Sequence, residues 1–542
     1  MLPRTSKRQS TRGLSQVSES IDTGPDRDNT TTAREKVLEA QARIGAARRD
    51  FLRLFGYGTA GLMMGGLTPG LVAEAQAASK SGKKSPYEKA FGFDKGLLYM
   101  NIGTTGASPT QVVKDFAKDY DDISGNPTAY FFGQQAMRNA IAPGFGCDPY
   151  ELVLSFNTTD GLWRIAMGIP FAPGDEIVST NMEEDAGISV LKMLKDRFGV
   201  VVKTVNLPTN DDYSDAEVLA RFQAELTDNT KAILFSSPIY LTGTRLPEKA
   251  LCQWAADSGI VSIVDGAHLP GMVALNLHDM GCDFFSGAGH KWQCGPGQTG
   301  FLYIRNGFDP NARTVQRPTS DYAVFGMPSE TVPIFVPGYT NTTALPTYYS
   351  TNTLVYGAAG ILASGVRNPE HNVAAVLQLI GNGSRPTQNA LVQCCRMWDD
   401  WGRAEIEDYI VSLAQYLRAR IADIWGPDSL SMPYSPEAAT AARTGLTSFN
   451  PFSPGCDYNA PLTEAQSAAQ KTASAAAVAT LKNDYKIVVR NNSVPHSLRG
   501  NPNRNAAPGT YSSPLRISTH LFHSQADVDR VIDALIQVVP TP

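Results

Sequence analysis

The chain has 542 residues, of which 42% are hydrophobic and 18% charged, with a formal net charge of -5. That length supports a large core and two domains in the body of the chain. The acidic balance and the lack of a basic block argue against nucleic acid as a partner.

Residues 1–47 read as a disordered extension, polar and without apolar periodicity. Residues 48–77, "RRDFLRLFGYGTAGLMMGGLTPGLVAEAQA", place Arg48 and Arg49 before Phe51 and Leu52, then a glycine-diluted apolar run, then Ala75 and Ala77 in A-x-A spacing. The segment resembles a twin-arginine export signal, which implies a periplasmic or otherwise exported protein and the twin-arginine export machinery as a partner. A membrane anchor would need about 20 strongly apolar residues, and Pro69 interrupts this run. Removing residues 1–77 takes away 11 of 47 basic and 8 of 52 acidic residues, which leaves 36 against 44, a net of -8. The seven cysteines, at 147, 252, 282, 294, 394, 395 and 456, form no C-x-x-C pair and no metal-ligand spacing, so no metal site is expected. Adjacent Cys394 and Cys395 read as packing residues.

From residue 108 to about 305, short apolar runs alternate with segments of helical spacing. The runs are "ELVLSF" (151–156), "DEIVST" (175–180), "VVVKTVNL" (200–207), "KAILFSS" (231–237), "GIVSIVDG" (259–266) and "CDFFSG" (282–287). In "LPEKALCQWAADSG", Pro247 suits a first helical turn, Leu251, Trp254 and Ala255 share a face, and Gly259 suits the end. Strand alternating with helix predicts an α/β fold, a mostly parallel sheet covered by helices on both faces, over a large domain at 85–365. Residues 366–542 read as a smaller C-terminal α+β domain with an insertion around 380–470. Its last segment, "SPLRISTHLFHSQADVDRVIDALIQVV", predicts a strand and then a helix capped by Ser524 with Asp527, with Val528, Val531, Ile532 and Leu535 on its apolar face.

Ligands of such sheets sit beyond the carboxyl ends of the strands, where "VDGAH" puts Asp265 and His268 and "GAGHKW" puts His290 and Lys291. A lysine amine, a carboxylate and a histidine in one crevice suit pyridoxal phosphate: the amine holds its aldehyde as a Schiff base, and the carboxylate keeps its ring nitrogen protonated. "SFNTTDG" follows a strand and opens a helix, so its free N–H groups with Thr158 or Thr159 could cradle the phosphate. A plain helix cap reads the same residues equally well.

With "VDGAH", "GAGHKW", "GPGQTGFLYIR" and "LRISTHLF" together, the chain resembles the class V aminotransferase family of fold-type I pyridoxal phosphate enzymes, in its isopenicillin N epimerase-like branch. The likeness covers roughly residues 96–366 and 480–540. It implies that Lys291 holds the cofactor, Asp265 pairs with the ring nitrogen, His268 contacts the ring oxygen and Thr159 binds phosphate. It also implies that Arg516 grips a substrate carboxylate, and that Thr351 reaches the phosphate across a homodimer interface. Tyr130 could line the substrate mouth. His290 is open between assisting proton transfer and packing under the lysine turn. Trp292 and Trp163 read as core.

The chain departs from the family at three places. Ala288 stands where relatives carry Ser or Thr, "TNMEEDAG" offers Met182, Glu183 and Glu184 where an aromatic often stacks on the ring, and Tyr240 stands where Asn is frequent. The expectation is an exported enzyme acting on an amino acid or peptide-derived amino compound by epimerisation, transamination or elimination. For epimerisation, Glu184 or Tyr130 are candidates for the second base. One alternative is tailoring of a secreted peptide metabolite such as a siderophore, and another is a non-catalytic binding protein that keeps the fold. No cysteine follows Cys456, so persulfide chemistry on a loop before Arg516 is not expected.

Overall fold

The computed structural model describes residues 85–127, 134–207, 213–305, 383–431, 443–495 and 510–541. It also describes shorter pieces at 314–318, 329–333, 340–341, 348–349, 361–363, 373–378, 497–498 and 501–505. The signal-like segment, Tyr130 and Thr351 lie outside the described residues. Among the described residues no helix is long and apolar enough to cross a membrane.

Eight strands carry the argument: β1 (Leu98–Tyr99), β2 (Leu152–Ser155), β3 (Glu176–Thr180), β4 (Val201–Val205), β5 (Thr230–Ser236), β6 (Val261–Asp265), β7 (Phe284–Ala288) and β8 (Gly300–Ile304). β2 to β8 form a seven-stranded sheet in the order β2-β8-β7-β6-β5-β3-β4. The pairs β3–β4, β3–β5, β5–β6 and β6–β7 are parallel, while β8 runs antiparallel to both β2 and β7. The six apolar runs read as strands all enter this sheet. β8 is a seventh that the reading of alternating runs passed over. Its direction follows from chain length, because the short turn from Ala288 to Gly300 leaves no room for the crossover that a parallel return needs.

Both faces of the sheet are covered, and the alternation along each strand shows how. Ala232, Leu234, Ile263, Phe284 and Leu302 pack with Leu162, Ile165, Val190 and Leu194 of helices Thr158–Gly168 and Asp185–Phe198. Ile233, Phe235, Val264, Phe285 and Phe301 point the other way, onto a core that includes Leu251 and Ala255 of helix Glu248–Asp257. Successive residues face opposite sides of a strand, so the run Ala232–Phe235 of β5 is apolar at every position because neither side meets water.

Helix Glu248–Asp257 starts after Pro247, and Gly259 follows it with φ of +68°. The C-terminal helix Gln525–Val538 has its capping box between Ser524 and Asp527, with Val528, Val531, Ile532 and Leu535 buried. Between 380 and 470, the stretch read as an insertion, the described residues are largely helical. Helices Arg385–Trp401 and Arg403–Trp425 follow one another, and helix Glu464–Asp484 begins before the stretch ends. Strand Leu515–Ser518 lies between Leu446–Phe449 and Arg490–Asn491 in a three-stranded antiparallel sheet. The beginning of the described chain joins this C-terminal part, since β1 pairs in parallel with Ile487–Val488 and the Ser518 amide donates to the Met100 carbonyl.

Candidate active site

Three strand ends and two turns surround a cavity of about 250 Å³ lined by Thr158, Thr159, Glu184, Asp265, His268 and Lys291, among others. Asp265 is the last residue of β6 and Thr158 the first of the helix after β2, while Lys291 sits in the turn after β7. All lie at or just beyond the carboxyl ends of their strands, where a parallel sheet leaves a crevice.

Lys291 Nζ stands 3.4 Å from His268 Nε2. Burial lowers the amine from 10.5 to about 8, against the opposing pull of the Asp265 carboxylate. Asp265 is buried, with Oδ1 accepting the Ala267 amide at 3.0 Å, and burial raises its carboxyl to about 6. The backbone of Gly187 passes so close that a Cβ there would stand 2.8 Å from Asp265 Oδ2. Only a residue without a side chain leaves that carboxylate its place.

His268 is 2% exposed and sits well below its ordinary pKa, first through burial and then through the nearby Lys291 charge. Its tautomer follows from its neighbour. Trp292 Nε1 donates to His268 Nδ1 at 3.1 Å, and an indole nitrogen can only donate. The neutral ring therefore carries its proton on Nε2, the nitrogen that faces Lys291. Trp292, read as core from the sequence, is buried but also positions this histidine.

His290 Nδ1 donates to the Thr299 carbonyl at 3.2 Å, which ties it to the base of the turn while its ring lines the cavity. The same turn is held from outside by the 101–106 loop. The Gly106 amide donates to the His290 carbonyl at 2.7 Å, and a Cβ on Gly106 would fall 2.1 Å from the Lys291 carbonyl oxygen.

At the other end of the cavity, Asn157 caps helix Thr158–Gly168 by accepting the Asp160 amide. The helix cap is therefore formed by Asn157, and it leaves the hydroxyls of Thr158 and Thr159 uncommitted to capping. Thr158 Oγ1 is buried without a partner, which is costly unless a ligand supplies one. This orphaned hydroxyl at a helix start is the observation that fits an anion. Ala288 lines the cavity and adds no hydroxyl. Of the "TNMEEDAG" residues, Glu184 lines the cavity while Glu183 turns away to bond Thr180 and Ser236. Burial raises the Glu183 carboxyl to about 7.

Arg516 is fully buried in strand Leu515–Ser518. Its Nη1 donates to the Tyr240 carbonyl at 3.1 Å, and its Nη2 donates to Thr104 Oγ1 at 3.1 Å and Asn101 Oδ1 at 3.3 Å. Burial, followed by the charge of Arg490, lowers its pKa to about 9. Thr104, Asn101, Ser236 and Arg490 were not singled out from the sequence. Among the described residues no group of His, Cys, Asp and Glu could hold a metal ion, and all seven cysteines are free and buried.

The family profile for Aminotransferase class-V matches residues 98–330. Over that span the chain is similar to the aminotransferase class-V family. It is 29% identical over 219 residues to isopenicillin N epimerase of Streptomyces clavuligerus, covering 40% of this chain and 55% of that protein. It is 32% identical over 218 residues to isopenicillin N epimerase of Amycolatopsis lactamdurans, covering 39% and 54%. The chain thus spans about half the length of the curated relatives it matches. In fold it is similar to the cystine C-S lyase C-DES in complex with its reaction product cysteine persulfide, with a TM-score of 0.56 at 19% identity over 82% of this chain and 99% of that one. It is also similar to the cysteine desulfurase of Thermococcus onnurineus NA1, with a TM-score of 0.55 at 18% identity over 88% and 99%. These likenesses agree with the α/β fold and the class V resemblance expected from the sequence.

Proposed function

We propose that this protein is a pyridoxal phosphate-dependent enzyme of the aminotransferase class-V family acting on an amino acid or a peptide-derived amino compound. The observation that carries the reading is the lowered amine of Lys291 in one cavity with Asp265, His268 and the orphaned Thr158 hydroxyl. Bound there, the cofactor would supply an aldehyde for amines and an electron sink for the bonds at the carbon next to them.

The chain's own residues divide the remaining work. Thr158, Thr159 and the free amides of their helix start would hold the phosphate. Asp265, ionised above about pH 6, would sit against the protonated ring nitrogen. His268, kept in one tautomer by Trp292, would donate from Nε2 to the ring oxygen. Lys291 Nζ, with a pKa near neutrality, suits taking and returning a proton at the substrate's α-carbon. Arg516 would grip the substrate carboxylate through its unpaired Nε–H. Glu184, across the same cavity, remains the described candidate for a second base.

Cysteine desulfurases are among the proteins similar to this one. No cysteine lines the cavity, and Cys456 is buried with its thiol donating to the Pro451 carbonyl. That favours chemistry without a protein persulfide. Export through the twin-arginine pathway is part of the proposal, supported by the Arg48–Arg49 segment and the A-x-A spacing at Ala75 and Ala77. So is a homodimer, supported by the class V resemblance.

The test is an absorption spectrum of the purified protein beside Lys291→Ala. A near-visible band in the parent that vanishes in the variant supports cofactor and lysine together. A protein that stays colourless after pyridoxal phosphate is added sinks the enzyme reading. For export, Arg48→Lys with Arg49→Lys should keep the protein out of the periplasmic fraction, and unchanged fractionation would refute that part.

A further inference from the structure

Strands Arg490–Asn491 and Leu515–Ser518 are antiparallel, with Arg490 directly opposite Arg516. Both side chains converge on one hydroxyl. Arg490 Nη1 donates to Thr104 Oγ1 at 3.4 Å, and Arg516 Nη2 donates to the same oxygen at 3.1 Å. The two nitrogens therefore lie no more than 6.5 Å apart, the sum of those distances.

Like charges directly opposite on paired strands destabilise the pairing. Among the described residues neither arginine has a carboxylate partner: Arg516 meets a carbonyl, an amide oxygen and a hydroxyl, and Arg490 meets the hydroxyl alone. An opposed cationic pair without an anion calls for one from outside.

The donors left over suggest two acidic groups rather than one. Arg516 is fully buried with its Nε–H unpartnered, which is costly in a dry site. Arg490 is half-buried and commits only one long bond, so most of its planar donor fork is open. Each guanidinium thus keeps its own donors for a carboxylate, the geometry for which arginine is suited. Both are close enough to the cavity for their charges to act on Lys291 and His268. Tyr240, whose carbonyl accepts from Arg516, lines that cavity.

We propose that Arg490 and Arg516 form a two-arginine site for a diacid, Arg516 taking the carboxylate beside the reacting amine and Arg490 taking a second acidic group. The substrate class is then an acidic amino compound with two carboxylates. The assignment of the first carboxylate rests on the pyridoxal phosphate reading, whereas the preference for a diacid does not.

Glutarate and butyrate, a diacid and a monoacid that lack an amine, serve as unreactive probes in calorimetric titrations of the full chain loaded with pyridoxal phosphate. The parent should bind glutarate about tenfold more tightly than butyrate, the worth of one further charge-assisted contact. Arg490→Gln should bring glutarate to the level of butyrate and leave butyrate nearly unchanged, and Arg516→Gln should weaken both. Arg490→Lys, which keeps the charge and the fold, should retain part of the preference. Equal binding of the two probes by the parent, or an equal loss of both in Arg490→Gln, overturns the proposal. If the protein takes up no pyridoxal phosphate, the titrations are made on the protein as isolated. A diacid preference that still depends on Arg490 then supports this site while the reading of the reaction falls.

Discussion

Replacing Lys291 by methionine in the cofactor-free protein removes a cation from the cavity while keeping an unbranched side chain of similar length. The amine falls from 10.5 to about 8, chiefly through burial. At about 1.4 kcal/mol per pH unit, carrying the charge costs the folded state at most about 3 kcal/mol near pH 7. Solvent in the cavity screens part of this, and Asp265 loses the cation that faces it, so a net gain of about 1–2 kcal/mol is expected for Lys291→Met. The pH dependence follows from the sign of the shift. Between about pH 8 and 10.5 the unfolded parent binds more protons than the folded one, so its stability rises with pH across that window. The variant lacks this rise, and its advantage should be full below about pH 8 and gone near 10.5. Urea unfolding at several pH values measures it. A variant less stable than the parent at pH 7, or an advantage that does not shrink toward pH 10, would refute the argument that burial depresses this amine.

Trp292→Phe removes the donor that fixes His268; it should cost about 1 kcal/mol and let the imidazole proton exchange between its nitrogens, visible in the nitrogen-15 shifts of histidine-labelled protein. Unchanged shifts would mean that something else sets the tautomer. Gly106→Ala puts a Cβ 2.1 Å from the Lys291 carbonyl, so a loss of about 1–3 kcal/mol and a weaker cofactor band are expected; full retention of both would show that the 101–106 loop yields easily. Thr158→Ala deletes a hydroxyl that has no partner, so stability should hold while affinity for pyridoxal phosphate drops about fivefold. Equal affinity in a fluorescence titration would remove Thr158 from the phosphate site. Apoprotein at pH 7 should hold about a tenth of Lys291 neutral, against well under a thousandth for an ordinary lysine, and its reaction with pyridoxal should level off above about pH 8. A rate still climbing at pH 10 would mean an unperturbed amine.

Asp265, His268 and Lys291 were legible because each follows an apolar strand run whose end can be seen in the sequence, and a parallel sheet brings such ends together. Arg490 was not, since "VVRNN" looks like any short strand and its meaning depends on the strand opposite. Trp292 read as core for a similar reason: the sequence shows an indole's size but not what its N–H meets. Helix Arg385–Trp401 was hidden by its composition. Its buried stripe of Ala390, Leu391, Cys394, Cys395 and Trp398 has helical spacing, but two of those positions are cysteines. Buried without pairing, they act as small apolar residues.

The joining of β1 to Ile487–Val488, and of Met100 to Ser518, sets an order of events during synthesis. The loop that braces the Lys291 turn leaves the ribosome well before the strands that anchor it and before Arg516 itself. A nascent chain can build its parallel sheet before those anchors exist, so the brace on the Lys291 turn is set only after Arg516 has been made. Truncation before Ile487 should therefore loosen the 101–106 loop while leaving most of the seven-stranded sheet able to fold.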